Sequence, residues 1–353
     1  MITSTIKAIA HALPAGVVTN AELEERFGSK AVKSIVKMSG IRERRVVAPG
    51  QCASDLAYAA ARRLVEHHQI DLSAIDLLTF TSQTPDYIMP STASVLHGRL
   101  GLGENCCTFD INQACSSFIH SLAVAHSMIT AGTAKRALVL NGDAVSTLVN
   151  PLDRGLVTLH GDAATAALIE PSDRRKGGIE QIKICTDGSK YDRLIVPAGG
   201  ARRPGSPETK IETEDEDGCI RNQEQIFMDG PAVFHFCVYK VTDFLKNFIA
   251  EMGLTIDDID MVLLHQANKT MIDFIYRGIG APPAKRFYCL EKLGNSGGAS
   301  LPTLLAEAWR SGVIKPGSRT ILCAFGAGLA WGAVSVKWPD DADAAVPGIV
   351  DVD

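Results

Sequence analysis

The chain carries Ile75-Asp76-Leu77-Leu78 in its first half and Ile259-Asp260-Met261-Val262 in its second, each opening an apolar run after a helix-like segment, 184 residues apart. A second echo lies downstream. The segment from Cys115 to Gly132 reads as a helix followed by an apolar strand at Ala137, and that from Asn295 to Gly312 reads as a helix followed by a strand at Thr320, 180 residues on. Similar offsets over the same order of elements predict a duplicated α/β unit, with Cys115 and Asn295 at equivalent helix starts. Outward from these anchors, short runs rich in Val, Ile and Leu at Leu77–Thr81, 137–141, 165–169, Met261–Leu264 and 320–325 alternate with longer helix-like stretches. That alternation is the pattern of a layered α/β protein.

The repeat divides the chain into a first half, residues 1–175, a second half, 176–338, and a tail, 339–353. The tail holds five aspartates and no periodic apolar face, which predicts loose order. Between the halves, residues 187–229 carry Gly199-Gly200, Pro204-Gly205-Ser206-Pro207 and an acidic run over 212–217. This stretch reads as a solvated excursion without a direct part in chemistry.

Whole-chain properties exclude several classes. At 353 residues the protein is longer than one core usually fills. Its 46% hydrophobic and 21% charged residues fit neither a disordered chain nor a coiled coil. Thirty-five lysines and arginines against 40 aspartates and glutamates give a net charge of −5 without a basic run, so nucleic acid is not an expected partner. The N-terminus is interrupted by Lys7, His11 and Pro14, and no apolar stretch reaches the ~18 residues a membrane span needs. A cytoplasmic protein is expected. Nine cysteines without C-x-x-C spacing point to reduced thiols, with neither a disulfide framework nor a metal site.

Three segments can carry chemistry. In Asp110-Ile111-Asn112-Gln113-Ala114-Cys115-Ser116-Ser117-Phe118, a thiol at the first turn of a nearly uncharged helix meets the positive end of the macrodipole, which favours thiolate. A small apolar core cysteine is the alternative at this point. His265-Gln266-Ala267-Asn268 follows the strand Met261–Leu264, at the carboxyl end where open α/β sheets place ligands, and offers an acid, base or donor unless His265 is structural. Gly294-Asn295-Ser296-Gly297-Gly298-Ala299-Ser300 lets chain and substrate approach closely, and the Asn295 amide can donate to a developing oxyanion or merely cap a helix.

Taken together, Cys115, His265 and Asn295 in a doubled α/β chain resemble the thiolase-fold condensing enzymes, and most closely the β-ketoacyl-acyl-carrier-protein synthase III family. The resemblance runs through Gly40-Ile41-Arg42-Glu43-Arg44, the Cys115 segment, Asp153-Arg154-Gly155, His160-Gly161-Asp162-Ala163-Ala164, His265-Gln266-Ala267-Asn268, Gly294-Asn295-Ser296 and Phe325-Gly326-Ala327-Gly328 with Trp331-Gly332. Biosynthetic thiolases use a second cysteine in the last glycine-rich loop, and residues 326–332 contain none.

The resemblance implies a thiolase-like fold of two βαβαβ-type halves in five layers, α-β-α-β-α. It implies that Cys115 takes an acyl group from acyl-coenzyme A, with the backbone N–H groups of Cys115 and Ala327 as oxyanion hole. His265 and Asn295 would then stabilise the enolate formed when malonyl-acyl-carrier protein loses CO2, with no permanent cofactor. Arg154, Gly230, Phe234 and Asn268 match pantetheine-binding positions, and Met89 matches a position that closes the acyl pocket. A homodimer is implied, with Met89 and the strand at 137–141 near a two-fold axis where two sheets continue into one another. Two departures stand out: Ser34 and Met38 replace the Trp and Arg that clamp the coenzyme A adenine in many members. An acyltransferase passing the acyl group from Cys115 to an alcohol or amine, and a silent subunit of a heterodimeric synthase, are the competing readings.

Overall fold

The computed structural model describes residues 2–342 and 348–353. Strands β1 (Ile2–Pro14), β2 (Leu77–Thr81), β3 (Cys107–Ile111), β4 (Ala137–Asp143) and β5 (Ala163–Asp173) form one sheet. Strands β6 (Gly178–Thr186), β7 (Met261–Leu264), β8 (Arg319–Gly326) and β9 (Ala330–Lys337) form a second, and β10 (Val350–Val352) joins the first along β1. The first sheet runs β10-β1-β5-β4-β2-β3 and the second β7-β8-β9-β6. In each, a parallel pair (Leu77 beside Ala137, Met261 beside Thr320) is followed by two antiparallel strands, so β2-β4-β5-β1 and β7-β8-β9-β6 share one connectivity. Where a counterpart of β3 belongs in the second sheet, an isolated parallel bridge joins Val262 and Arg286.

The duplication is therefore real, and its register differs from the expected one. Helix α2 (Ser117–Thr130) corresponds to α5 (Ser300–Arg310), so Cys115 is the counterpart of Gly298, and Asn295 that of Asn112. The short 3₁₀ turn Gly297–Ala299 stands ahead of α5, and it lengthened the helix-like pattern read from Asn295.

Burial explains the layers. Helix α2 has no Asp, Glu, Lys or Arg, as befits a helix covered on every side. Its Phe118, Ile119, Leu122, Ala125 and Ile129 interdigitate with Leu301, Leu304, Leu305 and Ala308 of α5 between the two sheets. Outside the first sheet lies α1 (Ala53–His68), whose Leu56, Ala57, Ala60, Ala61 and Leu64 recur at helical spacing. Outside the second lie α3 (Thr242–Glu251) and α4 (Lys269–Gly278). Five layers, α-β-α-β-α, result, and the carboxyl ends of β2, β3, β4, β7 and β8 come together at the middle of the molecule.

Three expectations are corrected. Strand β4, which contains 137–141, has β2 on one edge and β5 on the other, so it cannot continue a sheet into a partner. The edge open to such pairing is β3, hydrogen-bonded to β2 alone among the described residues. The tail is not loose at its end: β10 pairs in parallel with Ala12–Pro14, Ala15 N donates to Val352 O at 2.8 Å, and Arg45 meets Asp351 at 2.8 Å. An uncovered β1 edge offers backbone partners that outweigh the tail's polar composition; residues 343–347 lie outside the described residues. The excursion over 187–229 is solvated over most of its length, as expected, but it is not a plain loop, for Leu194–Ile195 pairs with Phe227–Met228 and Thr213–Glu214 with Ile220–Arg221. Within it Arg221 pairs with Asp215, and at 2.6 Å the same guanidinium anchors it to buried Asp153. No helix among the described residues is long and apolar enough to cross a membrane.

Ending the chain after Ala342 removes β10 and the Arg45–Asp351 pair. Hydrogen exchange is expected to rise in residues 12–15 while β4 and α2 remain protected; unchanged exchange at 12–15 refutes the role given to the tail.

Candidate active site

Strand β3 ends at Ile111 and α2 begins at Ser117 with Ser116 as its N-cap, so Cys115 sits in the turn just ahead of the helix. It packs against the end of β8, where a Cβ built on Gly326 would lie 2.7 Å from the Cys115 Cβ and 2.9 Å from its Sγ. The thiol is buried. Burial, and then the neighbouring Asp143 carboxylate, push its pKa up to about 12. This corrects the expectation of a thiolate: desolvation opposes the charged form, and Cys115 precedes the helix rather than occupying its first turn, where the dipole is felt most.

His265 leaves β7 with its backbone N donating to Cys323 O of β8 at 2.9 Å. Its Nδ1 engages the Ser300 hydroxyl on α5, and the Phe325 ring meets it edge-on at 5.5 Å between centroids. Burial, with a smaller contribution from His160, pushes its pKa down to about 3, so the imidazole is neutral. The Ser300 Oγ also accepts from Gln266 N at 3.2 Å, which fixes the ring from both sides.

Asn295 is held through its backbone, its N donating to Leu159 O at 2.8 Å and its carbonyl accepting from Gly161 N at 3.0 Å. Its Oδ1 accepts from Gly297 N at 3.1 Å. Among the described residues, His265 Nε2 and Asn295 Nδ2 make no hydrogen bond within the protein.

A cavity of about 850 Å³ opens onto Cys115 and Ala327. One wall comes from the loop after β2, including Ser82, Gln83, Tyr87 and Ile88; the facing wall comes from Leu194, Ile195, Val196, Ala198 and Ile226. The excursion thus supplies an apolar part of the cavity lining while most of its length stays solvated. Its polar residues face solvent, and they masked the short run 194–198 in the sequence.

Two further residues line this cavity, and the sequence reading gave them no role. Asp143, at the carboxyl end of β4, accepts from Gln83 N and Gly298 N, both at 2.7 Å, and from Ser82 Oγ at 3.3 Å. Burial nevertheless raises its pKa to about 6. His160 is locked against Asn295, its Nδ1 lying 3.3 Å from the Asn295 carbonyl, and burial lowers its pKa to about 4. The only signal for His160 was its place in the motif at 160–164, where it served as a match rather than as chemistry.

Met89 is 84% exposed and lies outside the cavity lining. Arg154, Gly230, Phe234 and Asn268 also lie outside it, as do His265 and Asn295, which adjoin it through His160 and Gly297. Arg154 donates to the Asp217 carbonyl, Gly230 opens a short helix capped by Asp229, Phe234 meets Phe274 of α4 edge-on at 5.7 Å, and Asn268 caps α4 by accepting from Met271 N at 2.9 Å. The Met38 carbonyl accepts from Thr270 at 2.7 Å, so Met38 stands beside the start of α4. All nine cysteines are free thiols, and no cluster of three or more His, Cys, Asp or Glu able to hold a metal exists among the described residues.

Residues 109–188 match the family model described as 3-oxoacyl-[acyl-carrier-protein] synthase III, and residues 249–338 match that of its C-terminal part. The β-ketoacyl-[acyl-carrier-protein] synthase III of Symbiobacterium thermophilum is 34% identical over 94% of this chain and 97% of its own length. Among solved structures, a 3-oxoacyl-(acyl-carrier-protein) synthase III superposes with a TM-score of 0.92 at 33% identity, over 95% of this chain and 100% of that one. The priming β-ketosynthase of the R1128 polyketide pathway superposes with a TM-score of 0.83 at 28% identity, over 96% of each chain.

The electrostatics of Cys115 give a direct expectation. Its alkylation by iodoacetamide, mapped by peptide mass, should climb from pH 7 to pH 9 without a plateau, because the thiol titrates far above that range. Asp143→Asn should speed the reaction severalfold at pH 8, where the carboxylate is charged and opposes the thiolate, and the two proteins should converge near pH 5, below the Asp143 pKa. A plateau below pH 8 in the unmodified protein contradicts this account.

Proposed function

Because the chain belongs to the β-ketoacyl-[acyl-carrier-protein] synthase III family, we propose that it condenses an acyl group held on Cys115 with a malonyl thioester, as an acyltransferase of fatty-acid or polyketide-like biosynthesis. The observation that carries the site assignment is the pair of donors left without protein partners, His265 Nε2 just past β7 and Asn295 Nδ2 in the turn ahead of α5, held by Ser300 and Gly297.

The geometry accounts for each half-reaction. Attack of the Cys115 sulfur on an acyl-coenzyme A thioester creates an oxyanion, and the backbone N–H groups of Cys115 and Ala327, both on the cavity wall, stabilise it. The acyl chain lies between the Tyr87–Ile88 loop and the apolar wall at 194–198. A malonyl group on acyl-carrier protein then loses CO2, and its enolate is stabilised by the two unpartnered donors. With the Ser300 hydroxyl donating to Nδ1, the His265 proton sits on Nε2, as this role requires. The enolate carbon attacks the acyl-cysteine and releases the thiol. No step requires a permanent cofactor.

Pantetheine reaches the site past Arg154, Gly230, Phe234 and Asn268. Arg154 is already turned toward the Asp217 carbonyl, and Ser34 and Met38 stand in place of an adenine clamp, so coenzyme A is held chiefly by its pantetheine arm. The working form is a cytoplasmic homodimer formed along β3. Asp110 of β3 accepts from Thr92 N and Ala93 N at 2.7 Å each, which fixes the end of the loop carrying exposed Tyr87, Ile88 and Met89 beside that open edge. A second copy covers both, and Met89 then meets the partner's acyl pocket.

Asn295→Ala should still accumulate acyl-Cys115 yet lose condensation by about 10²–10³-fold, the usual cost of one oxyanion donor. Burst acylation measured beside CO2 release checks this, and a protein that acylates but never releases CO2 from a malonyl thioester is an acyltransferase to another acceptor instead. Sedimentation should give twice 37.7 kDa at micromolar concentration, and Phe109→Arg on the β3 edge should shift it toward monomer.

A further inference from the structure

We propose that the acyl group delivered to Cys115 is a long, uncharged aliphatic chain, octanoyl or longer, rather than acetyl, and that Val196 and Ala198 of the excursion set how much of it the site takes. The inference rests on the condensing-enzyme reading above and names the acyl class that reading leaves open.

Room comes first. The cavity over Cys115 measures about 850 Å³, near the upper end of the roughly 300–1,000 Å³ of pockets that enclose a whole small-molecule ligand. The pantetheine positions Arg154, Gly230, Phe234 and Asn268 lie outside its lining, so this space is left to the acyl group. Counted at about 30 Å³ for each water-sized group, an acetyl methyl occupies a small corner, whereas a dodecanoyl tail occupies about 360 Å³. In the dimer the partner subunit's Met89 takes the volume of one further side chain, and the tail still fits. An apolar wall facing only a methyl group would stay in contact with water, whereas a long chain covers it.

The lining specifies the chemistry. The excursion contributes Leu194, Ile195, Val196 and Ala198, and the segment after β4 contributes Val145 and Leu148. These walls are tied together and braced, with Ile226 N donating to Leu148 O at 2.9 Å and Ala198 N to Gln223 O at 2.8 Å, and with Leu194–Ile195 paired to Phe227–Met228. The wall is therefore formed before a ligand arrives. No lysine or arginine lines the cavity among the described residues. Its three carboxylates are engaged by protein donors: Asp110 by Thr92 N and Ala93 N, Asp143 by Gln83 N and Gly298 N, and Glu224 by Thr209 Oγ1 at 2.6 Å. An acyl group with a carboxylate of its own finds no counter-charge there, while each methylene of an aliphatic chain gains by leaving water. Small residues leave the room. Ala198 is followed in the lining by Gly199 and Gly200, where an added Cβ meets nothing within 4 Å, so this end of the wall carries no bulk.

Burst acylation of Cys115, read by intact mass over a series of acyl-coenzyme A thioesters from acetyl to dodecanoyl at micromolar concentration, tests this. In the unaltered protein the second-order rate constant should rise about fourfold with each methylene, as far as octanoyl at least. Succinyl-coenzyme A, which carries a carboxylate, should be refused. Ala198→Phe should lower the octanoyl-to-butanoyl ratio by about tenfold or more by taking up room, and Val196→Phe, at a partly exposed position, should do the same where the first variant does not fold. Acetyl or butanoyl favoured over octanoyl by the unaltered protein, efficient acylation by succinyl-coenzyme A, or an unchanged ratio in a folded variant overturns the proposal. Should neither variant fold, the chain-length series in the unaltered protein decides by itself. Failure of the condensing reading is separately visible, because acylation precedes decarboxylation: octanoyl-Cys115 that never leads to CO2 release from a malonyl thioester rejects condensation and leaves the acyl class standing.

Discussion

The rest of the structure depends on the contact between Gly326 and Cys115. The two halves of a duplicated chain meet there, with the end of β8 laid directly on the turn ahead of α2, and a single Cβ at 326 would fall 2.7 Å from that of Cys115. Gly298 makes the reciprocal approach from the other half, where a Cβ would run into the Ser117 hydroxyl and lie 3.2 Å from the Ala114 carbonyl. Two helix starts related by the duplication are thereby brought face to face. Larger residues at either position would separate the halves and open the floor of the cavity.

That closeness sets the electrostatics. Solvent is displaced from Cys115, His160 and His265, and each is pushed toward its neutral form, thiol upward and imidazoles downward. Asp143 is pushed the same way, its pKa raised to about 6 by burial, and three donors limit that rise. A neutral site suits a reaction whose charge develops only on the substrate, because donors held without ionisation meet an oxyanion or enolate without reorganising. The same burial that makes the resting thiol unreactive makes the N–H groups around it effective.

Several residues of the family-like motifs serve this geometry from a distance. Arg44, buried with its pKa lowered to about 10 by desolvation, donates to Val18 O, Asn20 Oδ1 and Thr158 O, tying the paired strands Gly16–Thr19 and Glu43–Val46 to the segment that leads into His160. Asp162 accepts from Val47 N and Ser146 N at 2.8 Å each and holds the chain just after His160. Asp153 caps the short helix Arg154–Val157 and pairs with Arg221 of the excursion. Each is a buried charge satisfied by several partners, and together they fix where His160 and the apolar wall stand.

The amino-acid sequence alone determined the layered, duplicated α/β fold, since Leu77–Thr81, Met261–Leu264 and the uncharged helix at 117–130 state their burial in their own composition. It also singled out Cys115, His265 and Asn295, because local spacing marks the ends of strands and the starts of helices. The tertiary structure decided what depends on neighbours distant in the chain. The acidic tail pairs with β1 because an open backbone edge lies beside it, the polar excursion turns a short apolar run into the cavity, and the register of the repeat sets Cys115 opposite Gly298. The thiol stays protonated and the imidazoles of His160 and His265 stay neutral for the same reason: burial among neighbours far away in the chain sets their pKa values, His160 lying against the carbonyl of Asn295, 135 residues away, and a linear pattern of residue types does not encode this.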